Sequence, residues 1–484
     1  MTRETPAVSK LQLSVDRARL RWAQAKIGAR ILRRAIGHSL EPQVYEDRDF
    51  GNYRDKGRQA TRVANDAREA AAILAEAYAS RVPVNVGAAT HSSNGPTLSR
   101  GGIRLLLNAE TWTGPRMIEG DRVDAPAPMT WGALEAFLQA RGRGCPVLTD
   151  HLGTSVGGTL SVGGGIGTRS VVGGRQLDQV ERLHLLLPTG DTKWVSPTQD
   201  PDLFRYILGG QGLLGIIDRV VLRTIPRRPY VTQFRLQFST LRDAAKAACA
   251  FRERNTEPDF SHLDFVGPIL DSRVVELTLG FEYANNAQAL ERAATLPAAL
   301  APLESRVFSR GVVKDLANHN HARSASYMSL LTSRADPHVF LWNDFFFTKY
   351  GDYDRFLQYA EEVAMPRVGN RYLMAALGLG YPHFEGRPVV PMSGLVTAEG
   401  ELAFSIGFNY AVPKRDLAGQ TTIQTLLDEF QREAPRLGGR MYRYGYSNAN
   451  EADLRELYGQ DYTRLLELKA EVDPENLVNP DVFR

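Results

Sequence analysis

Cysteine is nearly missing: Cys145 and Cys249 are the only two in 484 residues, and they lie far apart in the chain. Such a pair builds neither a disulfide framework nor a cysteine-based metal site, so no metal is expected. Their scarcity suits a reducing compartment, and a cytoplasmic location is the expectation. No stretch approaches the roughly 18 consecutive apolar residues that would span a bilayer. Net charge is sparse too, at +3, which gives no argument for a nucleic-acid partner. The N-terminus has no continuous apolar core of the signal-peptide kind. Within residues 1–39, apolar Leu20, Ile27, Ile31 and Leu32 instead alternate at helical spacing with Arg19, Arg30, Arg33 and Arg34. A basic amphipathic helix can lie on anionic lipid; the plainer expectation is a helical extension packed on the protein body.

What is present is the composition of an ordinary globular protein, too long for one compact core and suited to two domains. Asn65 or Asp66 is placed to cap a helix through AREAAAILAEAYAS, and Thr130 one through WGALEAFLQARG. VPVNV, GIRLLL and Ile216–Thr224 read as strands, and DQVERLHLLLPTGD as strand, turn and returning strand. Pro226 and Pro229 then mark a boundary near Tyr230. Beyond it, strand-like PYVTQFRLQFS, SHLDFVG, RVVELTLGFEY, FLWNDFFFTKY and LAFSIGFNYAV are interspersed with helical segments, an α+β pattern with mainly antiparallel pairing.

Two clusters carry chemistry. In GAATHSSNGP, from Gly87 to Pro96, small residues follow a strand end and hydroxyl and amide side chains follow them. Such a loop lets backbone N–H groups approach phosphate oxygens, although a plain turn has the same composition. The second cluster, GGTLSVGGGIG, holds Gly157, Gly158, Gly163, Gly164, Gly165 and Gly167. That density is too high for a packed strand and marks a backbone approached closely by a ligand, or bulges. A nicotinamide-type Rossmann unit would continue as a helix, with an acidic residue ending the next strand; here more glycine and a β-rich stretch follow, so it is a minor alternative.

In this order the clusters resemble the FAD-binding half of the vanillyl-alcohol oxidase and p-cresol methylhydroxylase superfamily, with cytokinin dehydrogenase as the nearest family. AATHSSNGP resembles that family's GRGHSxxGQ loop, and TDHLGTSVGGTLSVGGGIG, Thr149 to Gly167, resembles TDYLxxTVGGTLSNAGISG. LGGQGLLGIID (Leu208 to Asp218) and DPENLVNPDVF (Asp473 to Phe483) match two further motifs. The resemblance implies a two-domain α+β, PCMH-type FAD-binding fold with an antiparallel-sheet substrate domain over the flavin. Its divisions would be a basic extension at 1–39, an FAD domain at 40–228, a substrate domain at 229–434, and a return to the FAD domain at 435–484.

The same resemblance implies a flavin covalently held by His91 and a proton taken from substrate by Asp150. Cofactor contacts are implied at Val86, Ala88, Ala89, Thr90, Ser92 and Pro96 in the first loop. Asp150, Ser155, Gly158, Thr159, Ser161 and Gly165 follow in the second, with Ile217 and Asn479 further on. Trp342, Asn343 and Asp344 fall on a substrate-pocket Trp-Leu-Asn strand in one of two registers a residue apart; Trp342 and Asn343 are the expected contacts. The family's substrate-binding glutamate has no counterpart in NHNHARSASYMSLLTSR, Asn318 to Arg334. The loop also departs at Ala88, Ala89, Thr90 and Pro96, and the C-terminus at Asn479 and Val482.

The implied function is oxidation of a small organic molecule at a C–N or C–O bond. The alternatives are a berberine-bridge-like oxidase of a biosynthetic intermediate and a flavin-binding protein without turnover. In the berberine-bridge branch a second tether lies six positions before the paired glycines. Here that position is His151, not Cys145, so a single tether is expected. Cys249 reads as a helix-face core residue. His319 and His321 lack a third ligand at supporting spacing and read as loop residues, or as polar groups facing substrate. The oligomeric state has no signature in the sequence.

Overall fold

The computed structural model describes residues 49–52, 60–93, 95–99, 101–164, 167–267, 274–322, 337–368, 373–382, 390–393, 402–480 and 482. The N-terminal extension, Gly165 and residues 323–334 lie outside them.

Three main sheets organise the chain. Strands Ala60–Ala64, Ile103–Leu107 and Val84–Gly87 form a parallel three-stranded sheet in that spatial order. Helix Ala67–Ala79 covers it, capped by Asp66, whose Oδ1 accepts the Glu69 N–H at 2.8 Å. Ile73, Leu74 and Ala77 of that helix meet Leu105 and Leu107 in one apolar cluster. Parallel pairing requires crossovers, and the helix and the long loop after Gly87 supply them.

The second sheet is antiparallel, ordered Arg116–Ile118, Arg122–Pro126, Ile216–Arg223, Val180–Leu186, Thr192–Val195. Helix Trp131–Gln139 begins at Thr130, whose hydroxyl accepts the Ala133 N–H at 3.2 Å. The glycine run is not extended: Val156–Ser161 is a short helix beside this sheet. Leu454, Tyr458, Tyr462, Leu465 and Leu468 from the C-terminal helices share a core with it.

The third sheet has eight antiparallel strands, drawn from 230–442. Helices Leu241–Arg254, Tyr350–Tyr359 and Leu417–Arg436 bury Phe251, Phe356 and Phe430 against one face, in a core rich in phenylalanine. Strand Gly439–Tyr442 pairs with His338–Phe347 at the edge of this sheet, so the chain leaves it after residue 442 rather than at 435. Among the described residues, no helix is long and apolar enough to cross a membrane.

Candidate active site

Strand Val84–Gly87 delivers the chain into the His91 loop. Thr90 has a positive φ of 52° and is buried, a costly state for a β-branched residue that persists only where its surroundings impose it. The imposing segment is 49–52. Phe50 N–H donates to Thr90 O and Gly51 N–H to Ser92 O, at 3.2 and 3.1 Å. Buried Asp49 accepts from Gly95 N–H at 2.6 Å and from the Ser92 hydroxyl at 3.3 Å. Burial pushes its carboxyl up to about 6, against those hydrogen bonds. The same strap reaches the large sheet: Phe340 N–H donates to Gly51 O at 3.0 Å, and Asn52 Nδ2 to His338 O at 3.1 Å. It thus ties the first loop to the third sheet. Nothing in the sequence pattern announced it.

His91 stands where this loop meets the second motif. Its ring stacks on Phe50 with centroids 5.5 Å apart, and its Nε2 lies 3.4 Å from Nε2 of His151. The His151 ring in turn meets the His321 ring edge-on at 5.2 Å. Helical residues 316–322 bring in two of these partners. Asn320 Nδ2 donates to Asp150 Oδ1 at 3.0 Å, and His321 Nδ1 accepts the Leu152 N–H at 3.1 Å. Desolvation lowers His91 to about 4 and His151 to about 3. His321 is lowered for the same reason. At neutral pH all three rings are therefore uncharged, each with one donor and one acceptor nitrogen. His321 is thus a site neighbour and not an ordinary loop residue; His151, absent from the expected set, occupies the tyrosine position of the resembling motif. Among the described residues, no group of His, Cys, Asp and Glu side chains could hold a metal ion.

Most glycines of the second motif have a reason internal to the protein. A Cβ on Gly157 would lie 2.8 Å from the Ala127 Cβ, on Gly164 2.7 Å from Leu177 N, and on Gly167 2.4 Å from Leu148 O. Gly158 differs: its Cβ would meet nothing within 4 Å except the Ser155 hydroxyl. The Thr159 hydroxyl is engaged by Trp131 Nε1 at 3.2 Å and Ser155 O at 2.8 Å. Ser161 O accepts from Gln211 N–H at 2.7 Å, docking the 208–215 turn on the helix end. Ile217 is buried in the core of the second sheet.

Asn479 closes the set from the C-terminus. Its Oδ1 accepts Val86 N–H at 3.0 Å and its Nδ2 donates to Gly212 O at 2.8 Å, joining the first strand to the 208–215 turn. Nearby Lys469 is buried with Asp473 and donates to Leu213 O at 2.8 Å and Val478 O at 2.7 Å. Asp473 accepts the Leu477 and Val478 N–H groups at 3.0 and 2.8 Å. Pro96 O accepts from Asn85 Nδ2 at 3.1 Å. Ala88 and Ala89 leave the loop without bulk beside these contacts.

The substrate strand needs a correction. Along His338–Phe347 side chains alternate faces. Leu341, Asn343 and Phe345 point to the helix-covered face, where Gln431 Nε2 donates to Asn343 Oδ1 at 3.4 Å and Asn343 Nδ2 donates to Tyr446 O. Asn343 is therefore a core residue and not a substrate contact. Trp342 lies on the opposite face, 5.9 Å from Phe50 and 5.3 Å from Tyr444 between ring centroids. Asp344 shares that face beside Tyr444 and Tyr442; burial pushes its carboxyl up to about 7, against a hydrogen bond from Tyr444. Phe346 and Tyr442 pack on Val162 of the glycine motif, and Ser93 Oγ donates to Tyr444 O at 3.2 Å. The large sheet and the segment that follows it thus meet both motifs, through Phe346 and Tyr442 at the glycine motif and through Tyr444 at the first loop.

These residues fit an FAD. Among the described residues, Thr168 Oγ1, Gln211 Nε2 and His151 Nδ1 are buried with no hydrogen-bond partner. They lie in the second motif, one residue beyond its end, and in the turn docked on it. Buried polar atoms are ordinarily matched, and a flavin nucleotide is rich in both donors and acceptors.

Comparison with known proteins gives the class first. Residues 59–196 match the family described as FAD binding domain, and residues 445–479 match the one described as berberine and berberine like. The resemblance to FAD-linked oxidoreductases of the PCMH type, read from four motifs, is borne out. Among individual relatives, an uncharacterized oxidoreductase of the fasciation locus of Rhodococcoides fascians is 34% identical over 31% of this chain and 34% of its own length. Two rice (Oryza sativa subsp. japonica) proteins follow. Cytokinin dehydrogenase 7 is 30% identical over 36% of this chain and 34% of its own. Cytokinin dehydrogenase 1 is 30% identical over 44% and 41%. The matched stretches thus span well under half the length of these relatives.

Proposed function

We propose that this protein is an FAD-dependent oxidoreductase that oxidises a small organic substrate at a C–N or C–O bond, with Asp150 as proton acceptor and His91 as the cofactor's covalent anchor. The observation that carries this reading is the meeting of Asp150, His91, His151, Asn320 and His321 where the FAD-binding segment adjoins the large sheet. Bound FAD supplies the acceptor for the hydride and its two electrons. Asp150, held at Oδ1 by Asn320, takes the N–H or O–H proton from the heteroatom as its double bond to carbon forms. Trp342 and Asp344 border the substrate from the sheet, and the strap at 49–52 keeps that sheet registered on the His91 loop.

Cofactor contacts are assigned to the backbone of Val86, Ala88, Ala89, Thr90 and Ser92 and to Pro96 at the first loop. Ser155, Gly158, Thr159 and Ser161 contribute at the second; Ile217 and Asn479 act beside the 208–215 turn. In this reading residues 40–228 with the C-terminal helices form the cofactor domain, and the large sheet forms the substrate domain.

Relatives bear the name cytokinin dehydrogenase, yet no glutamate occurs from Asn318 to Arg334. An unmatched buried polar partner costs about 1–3 kcal/mol, so recognition of an adenine-like group falls by about ten- to a hundredfold. The C-terminal berberine-like match supports a second reading, an oxidase of a biosynthetic intermediate. The test is anaerobic bleaching of the purified yellow protein in the dark with a panel of amines, secondary alcohols and hydroxylated aromatics beside isopentenyladenine. Bleaching by a panel member is expected. No bleaching by any reductant of the panel rejects turnover, and rapid bleaching by low-micromolar isopentenyladenine rejects the redirected specificity.

A further inference from the structure

Among the described residues, the His91 ring has its side-chain hydrogen-bond contact with His151, between the two Nε2 atoms. Neutral imidazoles share such a contact in one way only: one nitrogen donates its proton and the other accepts it. No hydrogen bond from a described residue engages Nδ1 of His91. If His91 donates through Nε2, its Nδ1 bears the lone pair and is the nucleophile. Phe50 stacked on the His91 ring removes most of its freedom to rotate, so this face-off of the two histidines is built into the loop. His151 has space to hold its position because residue 153 is glycine: a Cβ there would lie 2.9 Å from His151 Nε2.

We propose that His151 is the positioning residue and proton acceptor for covalent attachment of the flavin to His91. This rests on the His91 link proposed above. In attachment, the bond formed joins His91 Nδ1 to a methyl carbon on the dimethylbenzene end of the flavin, and one C–H bond of that methyl breaks. The methyl proton goes to solvent, and the His91 Nε2 proton passes to His151 Nε2. The two electrons left on the flavin go to dioxygen with two protons, one for the methyl proton released and one for the proton that His151 takes and then returns to solvent; dioxygen becomes hydrogen peroxide and the His151 ring is neutral again. His91 ends as a neutral, singly substituted imidazole whose Nε2 still faces His151. The arrangement also fixes which nitrogen is linked: Nδ1.

The experiment compares the parent with His151→Ala, His151→Gln and Gly153→Ala, each incubated with FAD in air. Flavin that stays on the protein after acid precipitation is followed with time, and the His91 peptide is weighed by mass spectrometry. Colour before precipitation and thermal melting report non-covalent binding and folding. Both His151 variants are expected to bind FAD but to attach it about a hundredfold more slowly, the lower end of what general acid–base help contributes. Added imidazole should restore attachment in His151→Ala, which a merely structural role would not allow. Gly153→Ala, which keeps the ring but displaces it, should be slowed to an intermediate degree; it decides the matter if the His151 variants fail to fold.

A parent that carries no flavin on the His91 peptide overturns the link and this proposal with it. A parent that links while His151→Ala or Gly153→Ala links at the same rate overturns only the role of His151. Parent-rate attachment in His151→Gln, which can hydrogen-bond but cannot take the proton, overturns proton acceptance.

Discussion

The loop that bears His91 and the strand that bears Trp342 face one another across the site, and they are held by opposite means. The loop has irregular backbone, and its shape comes from distant parts of the chain: Asp49 and Phe50 on one side, Asn479 at its root. The strand is regular, paired on both sides over its C-terminal half, and each side chain's direction follows from its place in the alternation. A loop of that kind can be recognised by its residues but not positioned from them. A strand is positioned by its pattern, yet a one-residue slip changes every role along it.

The sharpest way to break the comparison is at the chemistry. Asp150→Asn should keep the flavin spectrum and slow reduction by substrate about a hundred- to ten-thousand-fold. Stopped-flow reduction at the parent rate, with FAD fully loaded, would return Asp150 to the status of a turn residue. Next in size is the bolt behind the loop. Lys469→Ala leaves Asp473 buried and unpaired and should cost about 3–5 kcal/mol. Chemical denaturation measures it, and a loss below about 1 kcal/mol would show that the C-terminal motif does not brace the cofactor side.

On the strand, neighbouring residues should separate cleanly. Asn343→Ala removes a buried partner of Gln431 and Tyr446 and should destabilise by about 1–3 kcal/mol, with the rate of reduction by substrate kept. Trp342→Ala should alter substrate affinity in the same assay. If the two exchange behaviours, the face assignment is wrong.

The last effect is a slope. The Asp344 carboxyl is raised to about 7 in the folded protein, against about 4 when unfolded. Between those values the folded state holds more protons, so stability from this group falls as pH rises from about 4 to about 7 and then levels. Asp344→Asn should flatten that decline in thermal melts taken at pH 5 and pH 8. An unchanged slope would mean that the folded protein does not raise the Asp344 carboxyl.

Much of the molecule was legible before any coordinates. Asp66 and Thr130 cap helices because short polar side chains satisfy the first free N–H groups; these are local effects within one turn of chain. The motifs at 87–96 and 149–167 pointed to an FAD site through their joint resemblance, in order and spacing, to those of a known family; the first loop's composition by itself is also that of a plain turn. Glycine density, however, was only half correctly explained. Gly157, Gly164 and Gly167 make room for Ala127, Leu177 and Leu148, partners invisible in a linear pattern.

What the sequence determined by itself is the order of elements, the cofactor class, and the identity of His91 and Asp150 as the residues to watch. Each depends on residues close together in the chain or on a motif preserved as a unit. What the tertiary structure decided is the company those residues keep. It brought Asn320 and His321 to Asp150 and His151 across about 170 positions of chain. It strapped Asp49 and Phe50 over the first loop, and it turned Asn343 into the core while leaving Trp342 and Asp344 toward the site. The reason is physical: contacts between distant segments depend on how sheets and helices pack, and side-chain direction on a strand depends on a register that only pairing with its neighbours sets.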